Sequence, residues 1–189
     1  MIRQAKRMDF PFIFPILKQI FDEMEMTSIQ KLPFSQFYDL MQYAFHSEAY
    51  RYSYRRIWVH LDEAKKIDGI LAMYSDRDQA IIDLALRPFL AKVGLPETVK
   101  IFTDKEAQKN EWYLDALAVD PKHWRQGIGG QLLSVADKIA LQHGYHKISL
   151  NVDQANTTAQ RLYQHKGFVK TNEMMIGSRR YDHMIKTLS

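Results

Sequence analysis

The chain has 189 residues, of which 46% are hydrophobic and 12% aromatic, enough apolar material for one filled core and too much for a disordered segment. Its formal charge of +4 is spread among acidic residues, which excludes a polybasic tail and suits an anionic small ligand better than nucleic acid. The absence of cysteine excludes disulfides, thiolate metal sites and cysteine nucleophiles, and is compatible with a reducing, cytoplasmic setting.

Residues 2–7 read as a short strand, after which Asp9 stands where a helix cap would. Phe12, Ile13, Leu17, Ile20, Phe21 and Met24 then recur at helical spacing, with Pro11 and Pro15 expected within the first turn. No small-residue cleavage site follows this apolar opening and no stretch is long enough to span a bilayer, so a soluble, cytoplasmic protein is expected. A second helix is predicted from Pro33, with Phe34, Phe37, Tyr38, Met41 and Phe45 on a core-facing side. Two β-rich runs around a charged turn make residues 56–75 a hairpin.

A long connection follows, in which Ile82, Ala85, Leu86, Phe89, Leu90 and Val93 repeat at helical spacing and Pro88 is expected to split the helix. Such an apolar excursion covers a ligand site, joins a second subunit or packs on the sheet, and the residues alone leave all three open. From Glu111 onward the order is strand "WYLDALAV", turn "DPKHWRQ", helix "GIGGQLLSVADKIALQHG", strand "YHKISLNV", helix "NTTAQRLYQHKG" and two further strands around "SRR". This alternation predicts parallel pairing through helical crossovers.

Gly127, Gly129 and Gly130 stand between the first of these strands and its helix. Glycine is favoured where a chain turns with positive φ or lets a ligand approach, and a helix N-terminus offers unpaired amides to an anion. Two phosphate fingerprints fail: the dinucleotide pattern needs glycine where Leu132 stands, and the nucleotide-triphosphate loop needs a Gly-Lys-Ser/Thr ending.

"LAVDPKHWRQGIGGQLL", then "LNVDQANTTAQRLYQHKGF", then "YDHMIKTL" resembles the GCN5-related N-acetyltransferase (GNAT) superfamily, with the clear match covering residues 112–188. The resemblance implies a single α/β domain over 1–189. Its sheet would be mixed and mostly antiparallel, with a parallel central pair splayed around an acyl-coenzyme A site and helices on both faces. Residues 76–111 would be an atypical helical insertion. Acetyl-CoA is the implied cosubstrate and an amine the acceptor; no metal is expected. Carried over residue by residue, Leu117, Ala118 and Val119 would lie along pantetheine, with Leu117 and Val119 offering main-chain partners. Arg125, Gln126, Gly127, Ile128, Gly129 and Gly130 would line the pyrophosphate. Asn156 falls at a coenzyme-contacting position and Tyr163 at the position that protonates the departing thiolate. Trp124 departs from the family pattern, which has Gln or Arg there.

Acyl transfer needs a neutral amine, a polarised carbonyl and a protonated leaving group. Tyr163 suits the acid role, since a phenol near 10 lies above a thiol near 8.5. Asp115, expected to share a strand face with Tyr113 and Leu117, and Glu111 at the start of the strand are the candidate bases. For the acceptor, Tyr50, Tyr52, Tyr54 and Trp58, interleaved with arginines, could form an aromatic wall, although half-buried packing is the stronger account of them. A non-catalytic acyl-CoA-binding sensor or interaction module is the alternative function. A nucleic-acid domain is disfavoured because no fingerprint accompanies the basic residues, and a homodimer is a compatible arrangement.

Overall fold

The computed structural model describes residues 1–24, 32–102 and 104–189. A seven-stranded sheet organises it, in the order β1-β2-β3-β4-β5-β7-β6. The strands are β1 (Ile2–Gln4), β2 (Ile57–Leu61), β3 (Ile67–Ser75), β4 (Trp112–Val119), β5 (Lys147–Asp153), β6 (Val169–Ile176) and β7 (Arg179–Thr187). As the family resemblance implies, the sheet is mostly antiparallel with one parallel central pair, β4 and β5, joined only at Trp112 opposite Ile148 and Tyr113 opposite Ser149; the parallel pairing read from the alternation of elements goes no further. The last helix leads instead into a β6–β7 hairpin, and β7 returns antiparallel to β5. Beyond Tyr113 the two central strands diverge, leaving a gap.

Helices cover both faces. On one, α1 (Phe10–Glu23) and α2 (Phe34–His46) bury Phe10, Phe14, Phe21, Phe37 and Phe45 in a core rich in edge-to-face ring pairs. Pro15 lies inside α1, beyond the first turn expected for it, where it forgoes one hydrogen bond, to the Pro11 carbonyl. Phe12 and Phe34, read as core positions, are largely exposed. Asp9 makes no side-chain cap to α1; it turns back to bind the Arg3 guanidinium at 2.6 and 3.0 Å and the Lys6 amide at 2.6 Å.

On the opposite face, α3 (Ile128–Gln142) and α4 (Thr157–His165) bury Leu132, Leu133, Ala136, Ile139 and Tyr163 against Leu71, Leu114, Ile148 and Leu150. Gly69 permits this approach. A Cβ there would sit 2.8 Å from the Ile128 methyl and 3.1 Å from Leu132, so a side chain would push the start of α3 off the sheet.

Residues 76–111 form no continuous helix. Pro88 falls within three short consecutive turns, Ile82–Leu86, Arg87–Leu90 and Ala91–Val93, which send Leu86, Leu90 and Val93 into the α1/α2 core. Packing beside the sheet is therefore part of what this connection does. Its other part is to deliver acidic side chains to the middle of β4.

Among the described residues, no helix is long and apolar enough to cross a membrane.

Candidate active site

The turn between β4 and α3 is built from left-handed backbone. Arg125 has φ +62° and Gly127, the N-cap of α3, has φ +80°, where a Cβ would be strained. These kinks leave the main-chain amides from Arg125 to Gly130 with no acceptor among the described residues, all at the positive end of a 15-residue helix. Lys166, at the C-cap of α4, lies beside the first turn of α3: a Cβ on Gly130 would lie 3.3 Å from its ammonium, which hydrogen-bonds Ser134 Oγ at 3.3 Å. Nothing in the sequence pairs Lys166 with this turn, because the contact depends on how α4 lies beside α3. Gly129 is held at close quarters, with Leu162 at 3.4 Å and Leu117 at 3.9 Å from the place a Cβ would take. Ile128 is buried in the core and can offer the turn only its amide; Arg125 and Gln126 are exposed.

Trp124 acts as a strut. Its indole nitrogen donates to the Val119 carbonyl at 2.8 Å, tying the turn to the end of β4 while its ring stays 59% exposed. The Asp120 amide binds the Asp68 carbonyl of β3, so by the two-residue alternation of an antiparallel ladder Ala118 also pairs toward β3. Leu117 and Val119 therefore direct their main-chain groups toward the gap beside β5. With the Val119 carbonyl occupied by Trp124, the Leu117 groups and the Val119 amide are those left for a ligand.

In the middle of β4 the register slips: Ala72 faces Ala116 while Met73 faces Leu114, so Asp115 is a bulged residue without a partner across the ladder. The bulge reverses the side-chain alternation. Trp112 and Leu114 pack toward α3, and so do Leu117 and Val119, whereas Ala116 and Ala118 pack toward α1. Asp115 and Leu117 consequently do not share a face, contrary to the simple alternation expected for this strand.

Asp115 lines a cleft of about 170 Å³ together with Tyr52, Glu106, Leu117, Asn156 and Tyr163. Tyr163 packs edge-on against Phe168 with centroids 5.9 Å apart, and burial pushes its phenol up to about 12, so it holds its proton across the neutral range. Asn156 spends its side-chain oxygen capping α4, accepting from the Ala159 amide at 3.0 Å.

A buried guanidinium organises the floor of the cleft. Arg51 is 1% exposed and clasps Asp83 through two bonds of 2.9 and 2.7 Å. Its remaining arm binds Asp115 at 2.8 Å and Glu106 at 3.3 Å, and Phe102 stacks 3.6 Å beneath it. One arginine thus serves three carboxylates. Burial raises the pKa of Asp115 and outweighs the Arg51 charge and the Tyr52 and Tyr74 hydroxyls that lower it; the Tyr50 hydroxyl is buried without a hydrogen bond. For Glu106, burial and the neighbouring Asp115 charge push the pKa up to about 7 despite Arg51 and a 2.7 Å hydrogen bond from the Tyr113 hydroxyl.

Glu111 stands elsewhere. It accepts from His183 at 3.3 Å and from the Gln108 amide at 2.8 Å, bonds that outweigh burial and lower its pKa, and it is not part of the cleft lining. It is linked to the cleft through a relay of side chains. His183 meets the Asn151 side-chain oxygen at 2.6 Å, and the Asn151 amide donates to the Tyr113 hydroxyl at 3.1 Å.

The aromatic wall expected from Tyr50, Tyr52, Tyr54 and Trp58 does not form. Tyr52 lines the cleft, Tyr50 is sealed beneath it, Tyr54 is partly exposed beside Arg7 and Arg55, and Trp58 faces a separate pocket with Arg56 and Trp112. Arg51, from the same stretch, reaches the cleft beside Tyr52. Among the described residues, no three His, Asp or Glu side chains are grouped as a metal site would require.

Comparison with known proteins agrees with this geometry. An acetyltransferase crystal structure superimposes with a TM-score of 0.90 at 36% identity, covering 100% of both chains. An N-acetyltransferase from Staphylococcus aureus Mu50 follows with a TM-score of 0.83 at 27% identity, over 98% of this chain and 99% of that one. The NatC complex bound to Gag peptide and CoA, with a TM-score of 0.61 at 14% identity over 100% and 98%, shares the fold alone. No curated protein sequence matches the chain. The model of the Acetyltransferase (GNAT) family matches residues 22–168, and with a splayed central pair, a turn of unspent amides and a cleft between them, this chain belongs to the GNAT family of acetyltransferases.

Proposed function

We propose that the protein is an acetyl-CoA-dependent N-acetyltransferase, acting on a primary amine of a small molecule, peptide or protein by direct attack within a ternary complex. The observation that carries this reading is the run of unpaired amides from Arg125 to Gly130 at the start of α3, set beside the gap onto which Leu117 and Val119 open. Such an array suits a pyrophosphate, and Lys166 adds a cation. A pantetheine arm would pair with the free main-chain groups of Leu117 and the Val119 amide.

Bound acetyl-CoA supplies an activated acetyl thioester. The chain contains no cysteine, so attack by the acceptor itself is the simplest route. A main-chain amide of this strand, that of Val119 or a near neighbour not taken by pantetheine, would polarise the carbonyl, and a carboxylate of the cleft wall would take the proton of the amine. Tyr163, neutral up to about pH 12, donates its hydroxyl proton to the departing sulfur.

The test is release of free thiol from acetyl-CoA with a panel of primary amines, beside calorimetric titration of acetyl-CoA. Transfer to at least one amine supports the reading. Binding without transfer across the panel would indicate an acyl-CoA-binding module, and no binding would overturn both.

A further inference from the structure

The geometry points to Glu106, delivered by the 76–111 connection, as the general base of the transfer, with Asp115 and Arg51 as its positioning groups; this rests on the N-acetyltransferase reading. Four other carboxylates line the cleft or were candidates for the role, and each is committed elsewhere or differently placed. Asp115 has one oxygen bound to Arg51 at 2.8 Å and the other closed off from solvent. Glu111 is outside the cleft lining, spent on His183 and the Gln108 amide. Asp153 accepts from the Ala155 amide at 2.8 Å and from Arg179 at 3.3 Å. Glu23 lies on the exposed rim at the end of α1, where water screens its charge.

Glu106 also accepts two bonds, from Arg51 and Tyr113, and what sets it apart is its place and the looseness of the first. It lines the same cleft as Tyr163, it is 7% exposed, and its hold on Arg51 is the longest of the three that arginine makes with carboxylates. The groups that face it are Arg51, Asp115 and the hydroxyl of Tyr113, with Tyr74 and Tyr181 also within electrostatic reach. Tyr113 fixes one carboxylate oxygen at 2.7 Å and is itself held by Asn151, which is held by His183. The residue is thereby fixed in place, while burial and the Asp115 charge outweigh Arg51 and Tyr113 and push its pKa up to about 7, which matches a base working near neutrality.

In the transfer, the bond from the acceptor nitrogen to the acetyl carbon forms as the carbon–sulfur bond breaks. Glu106 takes one proton from the nitrogen and Tyr163 gives one to the sulfur. Amide and thiol are the products; Glu106 then releases its proton to solvent and Tyr163 regains one from it, so the proton count closes.

The experiment is the pH dependence of kcat for the wild-type protein and Glu106→Gln, at saturating acetyl-CoA, with the fastest of butylamine, 1,4-diaminobutane and a peptide bearing a free N-terminus. The wild type should lose activity as pH falls through about 7, because a protonated base accepts nothing. The variant should be about a hundredfold slower at pH 7.5, should lack that limb, and should bind acetyl-CoA within twofold of wild type. As a second measure, Asn151→Ala should move the wild-type limb while leaving acetyl-CoA affinity unchanged. A Glu106→Gln variant within threefold of wild type, or a wild-type profile with no limb between pH 6 and 8, overturns the assignment alone. No transfer by the wild-type protein to any of the three acceptors overturns it together with the N-acetyltransferase reading.

Discussion

The coenzyme turn and the acceptor cleft stand a few residues apart on β4, yet they are built by different means. The turn, from Trp124 to Gly130, is local: its shape comes from two left-handed residues and a helix start, and its working groups are main-chain amides. The cleft is assembled from distant positions, with Arg51 bound to Asp83, Glu106 and Asp115 across separations of 32, 55 and 64 residues. A local device tolerates most side-chain changes, whereas a site of buried charges fails when one member is removed.

The largest effect is expected at the centre of the cleft. Arg51→Met leaves Asp83, Glu106 and Asp115 without their shared cation, and chemical denaturation should register a loss of about 3–5 kcal/mol. Tyr163→Phe removes the proton donor and little volume, so kcat should fall about a hundredfold with acetyl-CoA affinity nearly unchanged.

Glu106→Gln should be more stable than wild type at pH 8, by on the order of 2 kcal/mol. The sign follows from a folded pKa of about 7 against an ordinary value of 4.5: native Glu106 favours its proton, so folding loses stability as pH rises from 4.5 through 7. The glutamine escapes this loss, and melting curves at pH 4 should show no gain.

On the turn, Gly127→Ala forces a Cβ into φ +80° and should cost about 1–2 kcal/mol, with weaker acetyl-CoA binding in calorimetry. The smallest change is expected for Lys166→Met, a loss of about threefold in acetyl-CoA affinity at low salt that shrinks as ionic strength rises.

The same contrast explains what could be read from the residues alone. The glycines, the strand before them and the helix after them are neighbours in sequence, and Gly127, Asn156 and Tyr163 stand on the elements foreseen for them. The hairpin of β2 and β3 and the apolar faces of α1 and α2 also follow from periodicity. The bulge at Asp115 was illegible because "WYLDALAV" is apolar on both sides and carries no alternation to interrupt. Glu106 was missed because it lies in a connection without regular structure, and its meaning comes from Arg51, far away in the chain. Arg51 itself stood among tyrosines that drew attention to ring stacking, while the decisive contact was its guanidinium. Trp124 read only as a departure from the family pattern, and its role as a strut to Val119 depends on how tightly the turn folds back.

The central claim is that the amides from Arg125 to Gly130 receive the diphosphate of acetyl-CoA. Amide proton–nitrogen NMR spectra recorded during titration with acetyl-CoA test it most directly. These signals should shift most, together with those of Leu117 and Val119, and Gly127→Ala should weaken the response. Saturable binding that leaves the turn unshifted while moving signals elsewhere would contradict it.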